Sequence, residues 1–202
     1  MSGTTHRRLR LAATLGAAAV LALTGCSGTG SASGDGQAGF ITGKGGVDTA
    51  AAGHRQDAPD ISGTGLDGSG KVGLADFKGK VVVLNIWGSW CSPCRAEAKG
   101  LQEVAQKYAD QGVQFLGINT RDTDPANAIS FEKNFGITYP SIYDPDGTQI
   151  LKFPKGSLNP QSIPTTIVVD RQGRLAARAM RALSSDDLEA MLRPVVAEQG
   201  QQ

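Results

Sequence analysis

Val81-Val82-Val83-Leu84-Asn85-Ile86-Trp87-Gly88-Ser89-Trp90-Cys91-Ser92-Pro93-Cys94-Arg95-Ala96-Glu97 is the stretch on which the reading of the fold turns. From Val81 to Trp87 it is apolar apart from Asn85 and rich in β-branched side chains. Such a continuous run reads as a strand buried on both faces. Pro93 suits the first turn of a helix, where its missing N–H has no partner to lose. Leu101, Val104, Ala105 and Tyr108 then recur at helical spacing and form one apolar face. Gly112 ends that helix. Two cysteines therefore fall at the junction of a buried strand and a helix N-terminus.

Downstream, Val113 to Ile118 reads as a second buried strand. Asp124-Pro125 reads as an N-cap followed by proline at the first position, opening a helix through about Phe135 with Ile129 and Phe135 inward. Tyr139 to Tyr143 is a short extended piece, and Asp144-Pro145-Asp146-Gly147 is a turn. Thr165 to Asp170 and Leu175 to Met180 read as strands joined by a turn over Arg171 to Arg174. Ser184 with Asp187 opens a final helix through Leu188, Met191 and Leu192, which Pro194 would kink or end. Upstream, Ala58-Pro59-Asp60 opens the compact region, and the turn-rich Gly65 to Gly70 joins two short strands. These elements predict an α/β fold: a central mixed sheet flanked by helices, with an N-terminal β-hairpin extension.

The chain has 202 residues, which fits one domain with appendages. A net charge of +1 offers no global field for nucleic acid or for an acidic partner. Hydrophobic residues make up 40%, enough for a real core, while the 27 glycines concentrate early. The start is an address. His6, Arg7, Arg8 and Arg10 precede an apolar run from Leu11 to Leu23, too short to span a membrane comfortably but suited to a secretory signal. We read the Arg7-Arg8 pair as ordinary positive charge. Leu23-Thr24-Gly25-Cys26 resembles the bacterial lipobox, which implies cleavage before Cys26 and acylation of its sulfur. The alternatives are a plain signal peptide or an uncleaved anchor, with Cys26 a stray thiol. From Ser27 to about Asp57 the chain is Gly-, Ser-, Ala- and Thr-rich and reads as a flexible tether. The expected organisation is a lipoprotein signal peptide over 1–25, a tether over 26–57 and a folded domain over 58–202, held at the extracytoplasmic face of the membrane by lipid.

Cys91-Ser92-Pro93-Cys94 admits three readings. A zinc site needs further ligands, and His6 and His54 lie outside the region expected to fold, so no metal or other cofactor is expected. A structural disulfide gains little, because the loop it closes is tiny. The third reading is redox chemistry. A helix N-terminus favours negative charge, and the thiolate is the reactive form of cysteine. Cys91 would attack a target disulfide, and Cys94 would resolve the mixed disulfide.

The stretch from Val81 to Glu97 resembles the active-site strand and helix of the TlpA/ResA-like branch of the thioredoxin superfamily. Ile163-Pro164-Thr165-Thr166, followed by Ile167-Val168-Val169-Asp170, resembles the family's cis-proline segment and its next strand. The resemblance runs from about Ala58 to the C-terminus. It implies a thioredoxin-like fold with Cys91 and Cys94 as the redox pair. It also implies a cis bond at Pro164, with the backbone at Ile163 and Pro164 receiving the client. Trp90 matches a family tryptophan that shapes the surface beside the reactive sulfur; simple core packing is the other reading. Glu97 stands where this branch often carries an acidic residue near the buried sulfur. Partly buried, its carboxyl would hold its proton more tightly and serve Cys94 as a proton shuttle; the other reading is a solvated surface glutamate paired with Lys or Arg. Ser162-Ile163 before the proline, and the Lys152–Gln161 run with Pro154, Gly156 and Pro160, depart from the family pattern where a partner would be read.

The resemblance implies a membrane-tethered reductase of exported proteins, with apocytochrome c as the typical client and a membrane electron carrier as donor. The alternative is the same fold run as an oxidant. Strongly oxidising relatives place a histidine between the cysteines, and Ser92-Pro93 supplies no cation. A copper chaperone would need a histidine in the domain. A peroxidase would need a Thr-x-x-Cys setting, and a non-catalytic binding lipoprotein leaves the cysteine pair unexplained.

Overall fold

The structure, a computed structural model, describes residues 38–68 and 70–198. The expected signal peptide over 1–25 and the lipidation site Cys26 lie outside the described residues. In chain order the elements are β1 (Ile41–Thr42), β2 (Val47–Thr49), β3 (Ser62–Thr64), β4 (Lys71–Gly73), β5 (Val81–Trp87), α1 (Ser92–Tyr108), β6 (Val113–Thr120), α2 (Pro125–Phe135), β7 (Ser141–Asp144), β8 (Thr165–Val169), β9 (Leu175–Ala179) and α3 (Ser185–Ala197).

Among the described residues, seven strands form one sheet in the order β1-β2-β9-β8-β5-β6-β7, and β3 pairs with β4 as a separate antiparallel hairpin. β5 runs parallel to β6 and antiparallel to β8, so the sheet is mixed. Every residue of β5 is buried, as its apolar run requires. Alternation along that strand decides what it meets. Val81 and Val83 join a cluster with Leu101 and Val104 of α1 and Leu188, Met191 and Leu192 of α3. Trp87 meets Ala98 of α1 and Phe131 of α2 on the same side. Val82, Leu84 and Ile86 face the other way, onto Ile118, Ile142, Ile167 and the segment around the β3–β4 hairpin through Ile61 and Val72. The helices thus cover one face and the hairpin covers the other.

Local signals explain the helix ends. Gly112 closes the turn after α1 at φ 75°, a left-handed conformation that an L side chain adopts at a cost. Asp124 caps α2 by accepting from the Ala126 N–H at 2.9 Å, and Ser184 caps α3 by accepting from the Asp187 N–H at 3.2 Å. One expectation fails on these helices and one is narrowed. Ile129 is 45% exposed; the inward residues of α2 are Ala128 and Phe131, with Phe135 partly buried against the same cluster. At about 100° per residue, Ile129 lies roughly 130° from the middle of the face set by Ala128 and Phe131. Pro194 neither ends nor splits α3, which continues to Ala197. Val195 is buried in the core and holds that last turn in place despite the proline's missing donor.

The larger correction concerns the expected tether over 26–57. From Ala38 onward this segment belongs to the fold, and so does His54, which sits exposed on a short 3-10 turn, Ala52–His54. β2 pairs antiparallel with β9 and covers what would otherwise be an open sheet edge. Ala38, Phe40 and Ala50 are buried in the same cluster as Leu84 and Ile167. Arg55, its side chain almost fully buried, bonds Asp170 at 2.9 Å and Glu198 at 2.7 Å. Few apolar residues sufficed because main-chain pairing with an edge strand does not depend on side-chain identity. Phe40→Ala is accordingly expected to lower the unfolding free energy by about 3 kcal/mol or more. An unchanged denaturation midpoint would return residue 40 to a tether.

Candidate active site

α1 starts where it does for local reasons. Cys91 is its N-cap, and the Cys91 Sγ accepts the Cys94 N–H at 3.2 Å. Pro93 occupies the first turn. The Cys91 N–H donates to the Gly88 carbonyl at 3.1 Å, which closes the bend between β5 and the helix. Cys91 and Cys94 are joined in a disulfide with their Cα atoms 5.2 Å apart. Residue exposure scarcely separates them, at 4% and 1%. The cap does. The sulfur of Cys91 lies over the unpaired N–H groups and the positive end of the helix dipole. When the bond opens, that position favours a thiolate at Cys91.

The turn before the cysteines is tied down from β6. Asp122 is buried and accepts both the N–H and the hydroxyl of Ser89, and the side-chain amide of Asn119 at 2.7 Å. Trp90 is 52% exposed, so core packing is excluded for it. The tryptophan in the core is Trp87, stacked on Phe131 with ring centroids 4.4 Å apart. A Cβ at Gly88 would lie 2.8 Å from the Trp90 Nε1 and 3.1 Å from the Thr120 carbonyl, so glycine is what lets the indole fold back over the turn.

Glu97 lies one turn beyond Cys94 on α1 and is 3% exposed, which excludes a solvated surface role. Its Oε1 accepts from the Asn85 amide and its Oε2 from the Leu183 N–H, each at 2.9 Å. Burial pushes its carboxyl up to about 7, against the opposing pull of the Leu183 N–H, Asn85 and the Arg181 charge. Asn85 also donates to Thr166 Oγ1 at 3.2 Å, so one amide joins the α1 carboxylate to β8. A cavity of about 10 Å³, lined in part by Cys94, Asn85 and Tyr139, lies beside this pair. That is room for about one water.

The Ile163–Pro164 peptide bond is cis. The pairing of Ile86 with Thr165 sets this segment beside the C-terminal end of β5, from which the Cys91 turn emerges. Ile163 packs partly against the cluster that holds both cysteines. Cys91, Cys94, Trp90, Glu97, Ile163 and Pro164 thus converge at one end of the sheet. Sequence reading missed Asn85, Asn119, Asp122 and Thr166. Asn85 did carry a signal, as the one polar residue in a buried strand; Asp122 carried none, since its partner Ser89 is remote in the chain.

Residues 54–178 match the AhpC/TSA family. The thiol-disulfide oxidoreductase ResA of Bacillus cereus is 31% identical over 140 residues, covering 69% of this chain and 77% of that protein. A DsbF homologue from Corynebacterium diphtheriae superposes with a TM-score of 0.70 at 41% identity, over 76% of this chain and 96% of that one. A secreted thiol-disulfide isomerase from Corynebacterium glutamicum superposes with a TM-score of 0.71 at 37% identity, over 78% and 96%.

Proposed function

We propose, from the premise that this chain belongs to the AhpC/TSA family and is a ResA-like thiol–disulfide oxidoreductase of the thioredoxin superfamily, that it reduces disulfides in exported proteins from a membrane tether at Cys26. The observation that carries the direction is the Ser92-Pro93 pair. It is exposed and uncharged, so no cation between the cysteines adds to what the helix end does for the Cys91 thiolate. A thiolate with modest stabilisation belongs to a more reducing couple.

In the reducing direction the dithiol form starts the cycle. The Cys91 thiolate attacks one sulfur of the client disulfide; a Cys91–client bond forms and the client's other sulfur leaves as a thiolate. Cys94 gives its proton to the Glu97 carboxylate and attacks the Cys91 Sγ. The Cys91–Cys94 disulfide closes, and the client leaves carrying two electrons. Glu97 suits this step because its carboxyl, pushed to about 7, exchanges a proton near neutral pH. Trp90, Ile163 and Pro164 form the surface on which the client lies. The client class that fits a ResA-like protein is apocytochrome c during cytochrome c maturation, with a membrane dithiol carrier restoring the reduced state.

The alternative is the same couple run in the other direction, as an oxidant of exported proteins. The reduction potential of Cys91–Cys94 separates the two. A value near that of thioredoxin, about −270 mV, is expected, whereas a value near the oxidising end of the range, about −120 mV, would reverse the direction.

A further inference from the structure

Two guanidinium groups flank the active-site turn, and neither has a carboxylate within ion-pair distance among the described residues. Arg121 lies 5.5 Å over the exposed ring of Trp90, and its Nη2 donates to the Pro160 carbonyl at 3.0 Å. Arg95 lies over Phe131 and Phe135, and its Nη1 donates to the Ser89 carbonyl at 3.3 Å. The carboxylate next to Arg121, Asp122, is buried and already taken by Ser89 and Asn119. Asp124, the next acid along the chain, caps α2. A guanidinium carries five N–H donors, and each of these two spends one on a carbonyl. Both groups are held against the residues that flank the disulfide, Arg95 through the Ser89 carbonyl and Arg121 through the Trp90 ring.

The backbone at Arg121 is constrained as well. Its φ of 60° is left-handed, the one such non-glycine conformation among the described residues. That conformation costs about 1–2 kcal/mol for an L side chain and persists only where its surroundings enforce it. Here the Arg121 N–H donates to the Pro145 carbonyl at 3.2 Å while its guanidinium bridges Trp90 to the Lys152–Gln161 run. That run leads into the cis-proline segment. Arg121 therefore spans the two sides of the surface assigned above to the client. Most other described arginines differ: Arg55, Arg174, Arg178, Arg181 and Arg193 each meet a carboxylate. Arg171, which binds the Gln111 and Val196 carbonyls, lies beyond the opposite end of β8.

We propose that Arg121 and Arg95 form a cationic rim beside the Cys91–Cys94 disulfide, and that this rim selects clients carrying Asp or Glu next to the reacting cysteine. The inference rests on the reductase reading and adds the chemistry by which a client is chosen. Opposite charge at a docking surface speeds encounter and fixes register, and it is weakened by salt.

The test uses the reduced protein and three disulfide-bonded peptides that differ only in the residues flanking one cysteine: acidic, neutral or basic. Second-order reduction rates are expected to run acidic over basic by about fivefold or more at low ionic strength. The ratio should fall toward one near 1 M salt, where screening reaches about 3 Å. Arg121→Met and Arg95→Met should each lower the ratio, and Arg121→Lys should keep most of it. Because the ratio is taken within one protein, a general loss of rate in a variant does not mask the result. Equal wild-type rates on acidic and basic peptides overturn this inference alone. A wild type that reduces none of the peptides overturns the reductase reading together with it.

Discussion

Cys91→Ser is expected to lower insulin reduction at least about a thousandfold, to the uncatalysed background, because it removes the nucleophile itself. Cys94→Ser should fail differently. The first attack still occurs, but nothing resolves it, so a covalent adduct between Cys91 and the client accumulates. Mass spectrometry of the non-reduced mixture reads the adduct directly. The asymmetry follows from position rather than burial. Both residues are buried, but only Cys91 sits at the N-cap, where its sulfur accepts the Cys94 N–H. It also adjoins the exposed Trp90 and Ser92. Adducts forming through Cys94 in the Cys91→Ser variant, at a comparable rate, would invert the assignment of attacking and resolving sulfur.

Glu97→Gln is expected to change how stability depends on pH. The folded-state value of about 7 lies above the ordinary 4.5, so the native protein holds this proton more tightly than the unfolded chain does. The stabilisation from that proton is complete below about 4.5 and is lost as pH rises through about 7. The shift corresponds to about 3 kcal/mol at full deprotonation. Glutamine carries no titrating proton. It can accept the Leu183 N–H with its oxygen and donate to Asn85, provided the Asn85 amide turns over. Its stability should therefore gain on wild type by about 3 kcal/mol between about pH 4 and pH 8, measured by denaturant titration. The pH profile for resolution of the mixed disulfide should change as well, because Cys94 loses its proton acceptor. Parallel stability curves together with identical reactivity profiles would remove Glu97 from both roles.

Much of the scaffold was legible because its signals are local. The apolar β5 run, Pro93 in the first helical turn, the Asp124 and Ser184 caps and the turn before β4 each act within a few residues. What the reading missed depends on partners remote in sequence. Residues 38–57 looked too polar and too glycine-rich to fold, yet β2 found an unpaired edge on β9, and Phe40 found a slot beside Leu84 and Ile167. The composition of the segment contains neither the edge nor the slot. Ile129 and Phe131 are both apolar residues on α2, and Phe131 is the one that stacks inward on Trp87 of β5.

The active site divides along the same line. By itself the sequence determined that two cysteines would stand at a strand-to-helix junction, because propensity and hydrophobic period act through neighbours in the chain. It also placed Glu97 one turn past Cys94, since helix geometry is regular. Whether that glutamate was solvated or buried was a tertiary matter. Its high affinity for a proton comes from desolvation by segments folded around it, with Asn85 and the Leu183 N–H as its hydrogen-bond partners. The hold of Asp122 on Ser89 and the placing of Arg121 over Trp90 arise the same way. Burial and Coulomb interactions sum over whatever lies near in space, and nearness in space between remote residues exists only once the sheet has formed.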